Sequence, residues 1–270
     1  MLLPTIQSTT EKSMKTLVVA FLMLVMSCIS AQAKSCENYD GYPHGNHQSC
    51  SFNAAKKTLF QIYNDHKVEF YCGAKFDDDE KVIDPNGFTT SKYEKSKNEI
   101  DWDHLVAAES FGQSFLEWRE GHSSCIDSKE NSFKGRKCAE KVSILYRHMQ
   151  ADLYNLVPAL APINRLRSNY SFEMITGNNW EFGTCQVKIE DRKIEPPAQT
   201  RGFIARTFKY MDWAYPGHGI ISGKNQKLFD AWDRQYPVSQ WEATRAKRIE
   251  QIQGNEDPFV KLPAKKLGIW

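Results

Sequence analysis

A chain of 270 residues with 41% hydrophobic and 25% charged side chains has an ordinary globular composition and is long enough to bury a substantial core. Fibrous and intrinsically disordered architectures are excluded on those grounds. A formal net charge of +2 argues against a uniformly basic surface, so any contact with a polyanion has to come from a local patch.

The first 33 residues read as a secretory signal peptide. Lys15 opens a short positive region, Leu17 to Met26 is an unbroken apolar run, and Ala31-Gln32-Ala33 supplies the small residues of a cleavage site. About ten apolar residues are too few to span a bilayer core, which needs roughly 20 in a helix, so no stable membrane association is expected. Cys28 follows Met26-Ser27, a poor lipidation box, and cleavage after Ala33 is preferred. Removing the segment takes away Glu11, Lys12, Lys15 and Cys28, which leaves 33 basic residues, 32 acidic residues and six cysteines. An even cysteine count suits an oxidising compartment. Six cysteines allow fifteen pairings. Cys125 and Cys138 flank a short polar stretch and look like a local staple, Cys36 with Cys50 could close a second small loop, and Cys72 and Cys185 are then left to pair over a long distance. No two of them have the close spacing of a zinc site.

In chain order, residues 34 to 50 read as an extension and residues 51 to 66 as an amphipathic helix capped by Ser51, with Leu59, Ile62 and Tyr63 on its apolar face. Val68 to Cys72 reads as a strand. Residues 77 to 98 read as a solvated loop with a turn at Asp84-Pro85-Asn86-Gly87. Glu99 to Val106 is compatible with a strand, Ala107 to Gly121 turns helical, and Lys141 to Leu156 passes from helix into a further extended piece. Pro158 and Pro162 punctuate the entry to a short polar helix at Ile163 to Asn169. A strand over Gln186 to Ile194 is followed by a helix from Thr200 to Trp213. Two further helices are marked by Leu228, Phe229, Trp232 and Tyr236, and by Trp241, Ile249 and Ile252. With no repeat and no linker, the pattern predicts one α+β domain stapled by disulfides.

Two stretches carry candidate chemistry. Asp103-His104 ends the strand-like segment, where an aspartate could offer a hard oxygen to Mg²⁺ and a neutral imidazole could take a proton from water. Adjacent strand residues point opposite ways, so both reach one pocket only if the strand ends or bulges there. Taken alone, the dipeptide more often marks a surface aspartate and a satisfied histidine than a catalytic pair, since short motifs recur by chance. The second stretch, Asn164-Arg165-Leu166-Arg167-Ser168-Asn169, has the amides and guanidinium forks that suit phosphate contacts, and also suits helix capping.

The ordered series Ile100-Asp101-Trp102-Asp103-His104-Leu105-Val106, Gly135-Arg136-Lys137-Cys138, Ala151-Asp152-Leu153-Tyr154-Asn155-Leu156-Val157-Pro158 and Ile163-Asn164-Arg165-Leu166-Arg167-Ser168-Asn169 closely resembles the bacterial endonuclease I family. The resemblance continues through Arg201 to Met211, Trp241-Glu242 and Ile252 to Val260, and covers residues 51 to 260, with 261 to 270 as a tail. It implies a ββα-metal (His-Me finger) motif built from strands at Trp102 to Val106 and Leu153 to Val157 and the helix containing Asn164. It further implies an exported, monomeric, non-specific endonuclease acting on DNA and RNA and leaving 5′-phosphate and 3′-hydroxyl ends. By resemblance His104 is the general base, Asp103 and Asn164 hold one Mg²⁺, with Mn²⁺ or Ca²⁺ as substitutes, and Arg136 steadies the phosphate. Lys137, Arg165, Arg167, Arg201 and Arg206 are candidate cleft cations, and Arg206 also suits a buried helix partner. The chain departs from the family at Asp103, where Glu is usual, at Gln150, where an acidic residue is common, and at Ala74 and Ala243, where cysteine can occur. A different class, an exported binding or interaction protein with weakened catalysis, would retain the basic cleft without the metal chemistry.

Overall fold

The computed structural model describes residues 41–177 and 181–270. The signal peptide, most of the extension and Cys36 lie outside the described residues. In chain order the elements are α1 (Phe52–Ile62), β1 (Lys75–Phe76), β2 (Val82–Asp84), β3 (Ile100–His104), α2 (Ala108–Gly112), α3 (Leu116–Arg119), α4 (Arg136–Val142), α5 (Ile144–Gln150), β4 (Leu156–Leu160), α6 (Ala161–Arg167), β5 (Ser171–Phe172), β6 (Lys188–Glu190), β7 (Lys193–Glu195), α7 (Arg201–Ala214), α8 (Gly223–Gln235), α9 (Gln240–Gln253) and α10 (Pro258–Lys266). This is a mixed helix and sheet fold, as expected. Among the described residues no helix is long and apolar enough to cross a membrane.

The centre of the fold is the antiparallel pair β3–β4, in register Ile100 opposite Leu160 through His104 opposite Leu156. Both strands are largely buried, because α6 follows β4 directly and helices from the C-terminal half cover the rest. Pro158 is tolerated because β4 pairs with β3 alone, and its carbonyl accepts from Phe70 N–H at 2.9 Å. An apolar cluster runs from Ala55 and Leu59 on α1, through Trp102 and Val157, to Phe208, Phe229, Ile249 and Ala264 on the C-terminal helices.

The C-terminal helices also fix the entry to β4. Buried Arg245 on α9 donates Nη2 to the carbonyls of Leu153 (2.6 Å) and Leu156 (2.7 Å). Asp152, fully buried, accepts from the hydroxyls of Tyr210 and Tyr215 at 2.7 Å each and from Tyr154 N–H at 3.0 Å. Burial pushes the Asp152 carboxyl up, and these donors oppose the shift.

Several boundaries move. The expected strand at Val68 to Cys72 is a turn: the Glu69 carboxylate accepts from the N–H groups of Tyr71 and Cys72, and Gly73 at φ +72 reverses the chain into β1. The second strand of the central pair is Leu156–Leu160, since Asp152 caps a 3-10 turn over Leu153–Asn155. Gln186 to Ile194 is two strands, not one; Asp191 and Arg192, both at positive φ, form the hairpin turn between β6 and β7. The helical stretch after Ala107 breaks into α2 and α3, and α1 stops at Ile62. The exposed loop of residues 77 to 98 contains β2 and a 3-10 turn at Glu94–Ser96. The last helix, α10, starts on the N-cap of Asp257 and runs through the expected beginning of the tail.

Cys72 bonds Cys185, 113 residues away, and Cys125 bonds Cys138. By restricting the unfolded chain, loops of these lengths contribute about 4–5 and about 3 kcal/mol respectively. Cys50 is also disulfide-bonded; its expected partner, Cys36, is outside the described residues. Ala74 and Ala243 are buried in the apolar core.

Candidate active site

Asp103, His104, Arg136 and Asn164 line one cleft of about 430 Å³. Six elements line it, among them α2 with Glu109 and α3 with Trp118. Asp103 and His104 come from the end of β3, Asn164 from α6, Arg136 from the first residue of α4, and Phe52 with Lys56 from α1. The problem posed by an adjacent Asp-His pair is resolved by the end of the strand. After His104 the chain leaves the ladder, and Asn155 takes over the pairing, its main chain accepting from Leu105 N–H (3.0 Å) and its side chain exchanging hydrogen bonds with Val106.

The His104 imidazole is buried against Phe52, ring centroids 4.8 Å apart. Its Nε2 lies 2.8 Å from the main-chain oxygen of Gln150. A carbonyl only accepts, so Nε2 carries the proton and Nδ1 keeps its lone pair. Burial, and then the nearby Arg136 guanidinium, lower the His104 pKa to about 3, in place of the ordinary value expected from sequence. The ring is therefore neutral in the folded protein at physiological pH.

Asp103 is 3% exposed and fully engaged. Oδ1 accepts from Arg167 Nη1 at 2.7 Å and Oδ2 from the Tyr71 hydroxyl at 2.9 Å. Burial raises its pKa, opposed by Arg167 and by the hydroxyl. Arg167 also donates to the main-chain oxygens of His104 and Leu105, and its guanidinium packs over Phe172 at 4.9 Å. It is a bracket under the end of β3 as much as a cation of the cleft.

Arg136 opens α4 immediately after Gly135, whose φ of +76 turns the chain into the helix, and Cys138 in the first helical turn ties that end to Cys125. Its guanidinium lies 5.2 Å from the Phe52 ring centre and donates to Gln150 Oε1 at 3.3 Å. Gln150 thus holds His104 through its main chain and Arg136 through its side chain. Arg136 Nε also pairs with Glu140 one turn along the helix at 3.4 Å, and the amide at position 150 adds no second carboxylate beside it.

The other expected cations separate. Arg206 is 2% exposed and paired in a bidentate fork to Glu242, at 2.7 Å for each bond, with Asp233 at 3.0 Å, so it is the buried helix partner and not a cleft residue. Arg201 is held by Glu195 (2.7 Å) and the carbonyl of Pro196, and does not line the cleft. Arg165 is exposed beside it, donating to Ser96 Oγ at 2.6 Å and standing 3.8 Å from both the Glu99 and the Asp101 carboxylates. Lys137 is exposed on α4, next to Arg136 but outside the lining. Sequence reasoning passed over Phe52, Lys56, Trp118 and Tyr71. The first two sit four residues apart on α1, where Lys56 Nζ lies 5.1 Å from the Phe52 ring centre; in the sequence they read as an ordinary amphipathic face.

The cleft has the donor chemistry of a hard divalent cation. Asp101 and Asp103 project from the same side of β3, and the Asn164 amide faces them from α6, with Nδ2 3.5 Å from Asp101 Oδ2.

Comparison with known proteins shows the family of the chain. The Endonuclease I family matches residues 32–264. An extracellular deoxyribonuclease of Aeromonas hydrophila is 37% identical over 219 residues, covering 78% of this chain and 89% of that protein. A periplasmic deoxyribonuclease of the same organism is 34% identical, covering 78% and 85%. Endonuclease-1 of Buchnera aphidicola subsp. Acyrthosiphon pisum is 34% identical over 217 residues, covering 78% and 80%. With residues 32–264 matched by the family and relatives 34–37% identical over most of the chain, this protein belongs to the endonuclease I family.

Proposed function

We propose that the protein is an exported, monomeric, non-specific endonuclease that hydrolyses phosphodiester bonds of DNA and RNA, leaving 5′-phosphate and 3′-hydroxyl ends. The observation that carries this reading is the state of His104: Nε2 is pinned to the Gln150 carbonyl, which leaves a neutral ring with an available Nδ1 in a cleft shared with Asp103, Asn164 and Arg136. Relatives named as extracellular and periplasmic deoxyribonucleases support export and DNA as a substrate.

In this scheme β3, β4 and α6 form the ββα-metal motif. Nδ1 of His104 removes a proton from the attacking water, help worth roughly 10²–10⁴-fold in rate. Burial is the larger cause of the low His104 basicity and stays when the cleft is filled; the negative charge of the phosphodiester would offset the lesser one, Arg136. Arg136 and Lys56 neutralise charge on the phosphate oxygens. Asp103 and Asn164 would hold Mg²⁺, or Mn²⁺ or Ca²⁺ in its place, supplying positive charge to the scissile phosphate and the departing oxygen. Affinity for any sequence follows from contacts with the backbone phosphates.

The test is digestion of plasmid and RNA by the purified mature chain across a series of divalent ions, with EDTA as control. Cutting is expected with Mg²⁺ and abolished by EDTA, and His104→Ala should lose at least a hundredfold in rate while still binding DNA. If the wild-type protein binds DNA but cuts under no condition, a binding role replaces the enzyme; if His104→Ala cuts as fast as wild type, the base assignment falls. N-terminal sequencing of exported protein tests the signal peptide, with Lys34 expected as the first residue.

A further inference from the structure

The two acidic side chains on β3 are in different chemical states, and this bears on which of them meets the cation. Two residues along a strand advance the chain by roughly 7 Å on one face. Three residues along a helix bring the side chain back to the same stripe. The face of β3 and the stripe of α6 therefore meet in two layers. In the inner layer Asp103 meets Arg167 at 2.7 Å; in the outer layer Asp101 meets Asn164 at 3.5 Å. Both oxygens of Asp103 are occupied and its charge is matched by a buried guanidinium. Asp101 is half-buried at the cleft, and its nearest cation, Arg165 Nε, stands 3.8 Å away. Asp103 is held in the strand's own bracket by Arg167 and Tyr71, while Asp101 remains on the side where Asn164 lies.

We propose that Asp101 is itself a ligand of the divalent cation, with Asp103 contributing from the inner layer: the Asn164 Nδ2 that donates to Asp101 in this structure gives way, and the amide turns its oxygen to the ion. This rests on the reading of the cleft as a cation-dependent nuclease site and adds one residue to it. Magnesium is usually held by one or two carboxylates with water completing its shell, so a second carboxylate fits its preferences. It also supplies the negative charge that Arg167 cancels at Asp103.

The experiment is a Mn²⁺ titration of the EDTA-stripped full mature chain, followed by the electron paramagnetic resonance signal of free Mn²⁺. Wild type is expected to bind one ion. Asp101→Asn keeps an acceptor for the Asn164 amide and removes the charge, and should weaken binding at least about tenfold, since even indirect changes around a metal typically cost 10–100-fold. Asp101→Ser repeats the test without an amide, and Asp101→Glu should restore most of the affinity. Glu109→Gln removes a charge at the mouth of the same cleft and should change binding less than threefold. Asp101→Asn and Asp101→Ser binding like wild type, or Glu109→Gln losing as much as either, would overturn the assignment. If Asp103→Asn and Asn164→Ala lose binding while the Asp101 variants keep it, the cation reading stands and Asp101 drops out; if wild type binds no Mn²⁺, both fall.

Discussion

Replacing Arg167 with methionine removes the guanidinium but keeps most of the buried stem. Three acceptors then lose a donor at once: Asp103 Oδ1 and the main-chain oxygens of His104 and Leu105. Removing one member of a buried ion pair typically costs 3–5 kcal/mol, because the other charge is left uncompensated. Each carbonyl left without a partner adds about 1–3 kcal/mol unless water enters. A total of at least about 4 kcal/mol is expected, a large part of the 5–15 kcal/mol that ordinarily separates folded from unfolded protein. Urea unfolding followed by tryptophan fluorescence should show the midpoint falling with little change in slope. In the Arg167→Met, Asp103→Asn double variant the uncompensated charge is gone, so the double should be more stable than the sum of the two single losses predicts, by about 1–3 kcal/mol. A loss below about 1 kcal/mol for Arg167→Met, or strict additivity in the double, would refute the view that this pair carries its energy as a buried bracket.

Three further outcomes follow from the same contacts. Replacing Cys125 and Cys138 together with serine should lower stability by about 3 kcal/mol, read by urea unfolding, and lower the cutting rate as well, because the bridge anchors the turn that presents Arg136. Arg136→Met should weaken DNA binding and reduce the slope of log affinity against log salt by about one, whereas Arg206→Met should lower stability by about 3–5 kcal/mol and leave that slope unchanged; binding measured at several salt concentrations separates the two. Burial raises the Glu69 carboxyl from 4.5 to about 7, so the folded protein holds that proton while the unfolded chain releases it. Its stabilising effect is thus complete below about pH 4.5, declines as pH rises towards 7, and is gone above it, for about 3 kcal/mol in all. Melting curves from pH 4.5 to 8 should fall more steeply for wild type than for Glu69→Gln, and parallel curves would refute the assignment.

Much of the site was legible because its residues sit in short strings whose chemistry survives without coordinates. Asp103-His104 at a strand end, Asn164 on a short helix after Pro162, and Arg136 beside Cys138 are all found in one cleft. The Cys125–Cys138 and Cys72–Cys185 bridges could be reached by parity and spacing. What was not legible involved partners distant in the chain. Tyr71 lies 32 residues from Asp103, and the Arg167 bracket reaches back across 64. Neither leaves a local signal, since a tyrosine and an arginine in those strings suit many other roles. The strand expected at Val68 to Cys72 failed for a related reason. Its β-favouring side chains were outweighed by one carboxylate turning inward to cap the backbone.

Composition, cysteine parity and motif order determined the class of this protein: an α+β chain carrying the family's short motifs, with near-neutral charge that allows only a local basic surface. Tertiary structure decided which cations remain free for that surface. Five arginines and lysines suited phosphate equally well in the sequence, yet burial commits Arg206 to Glu242 and Arg167 to Asp103, because a guanidinium removed from water must meet a matching charge. It also set Asp103 against Arg167 and Asp101 against Asn164, pairings made by the layers in which β3 and α6 meet and not by the order of residues in either.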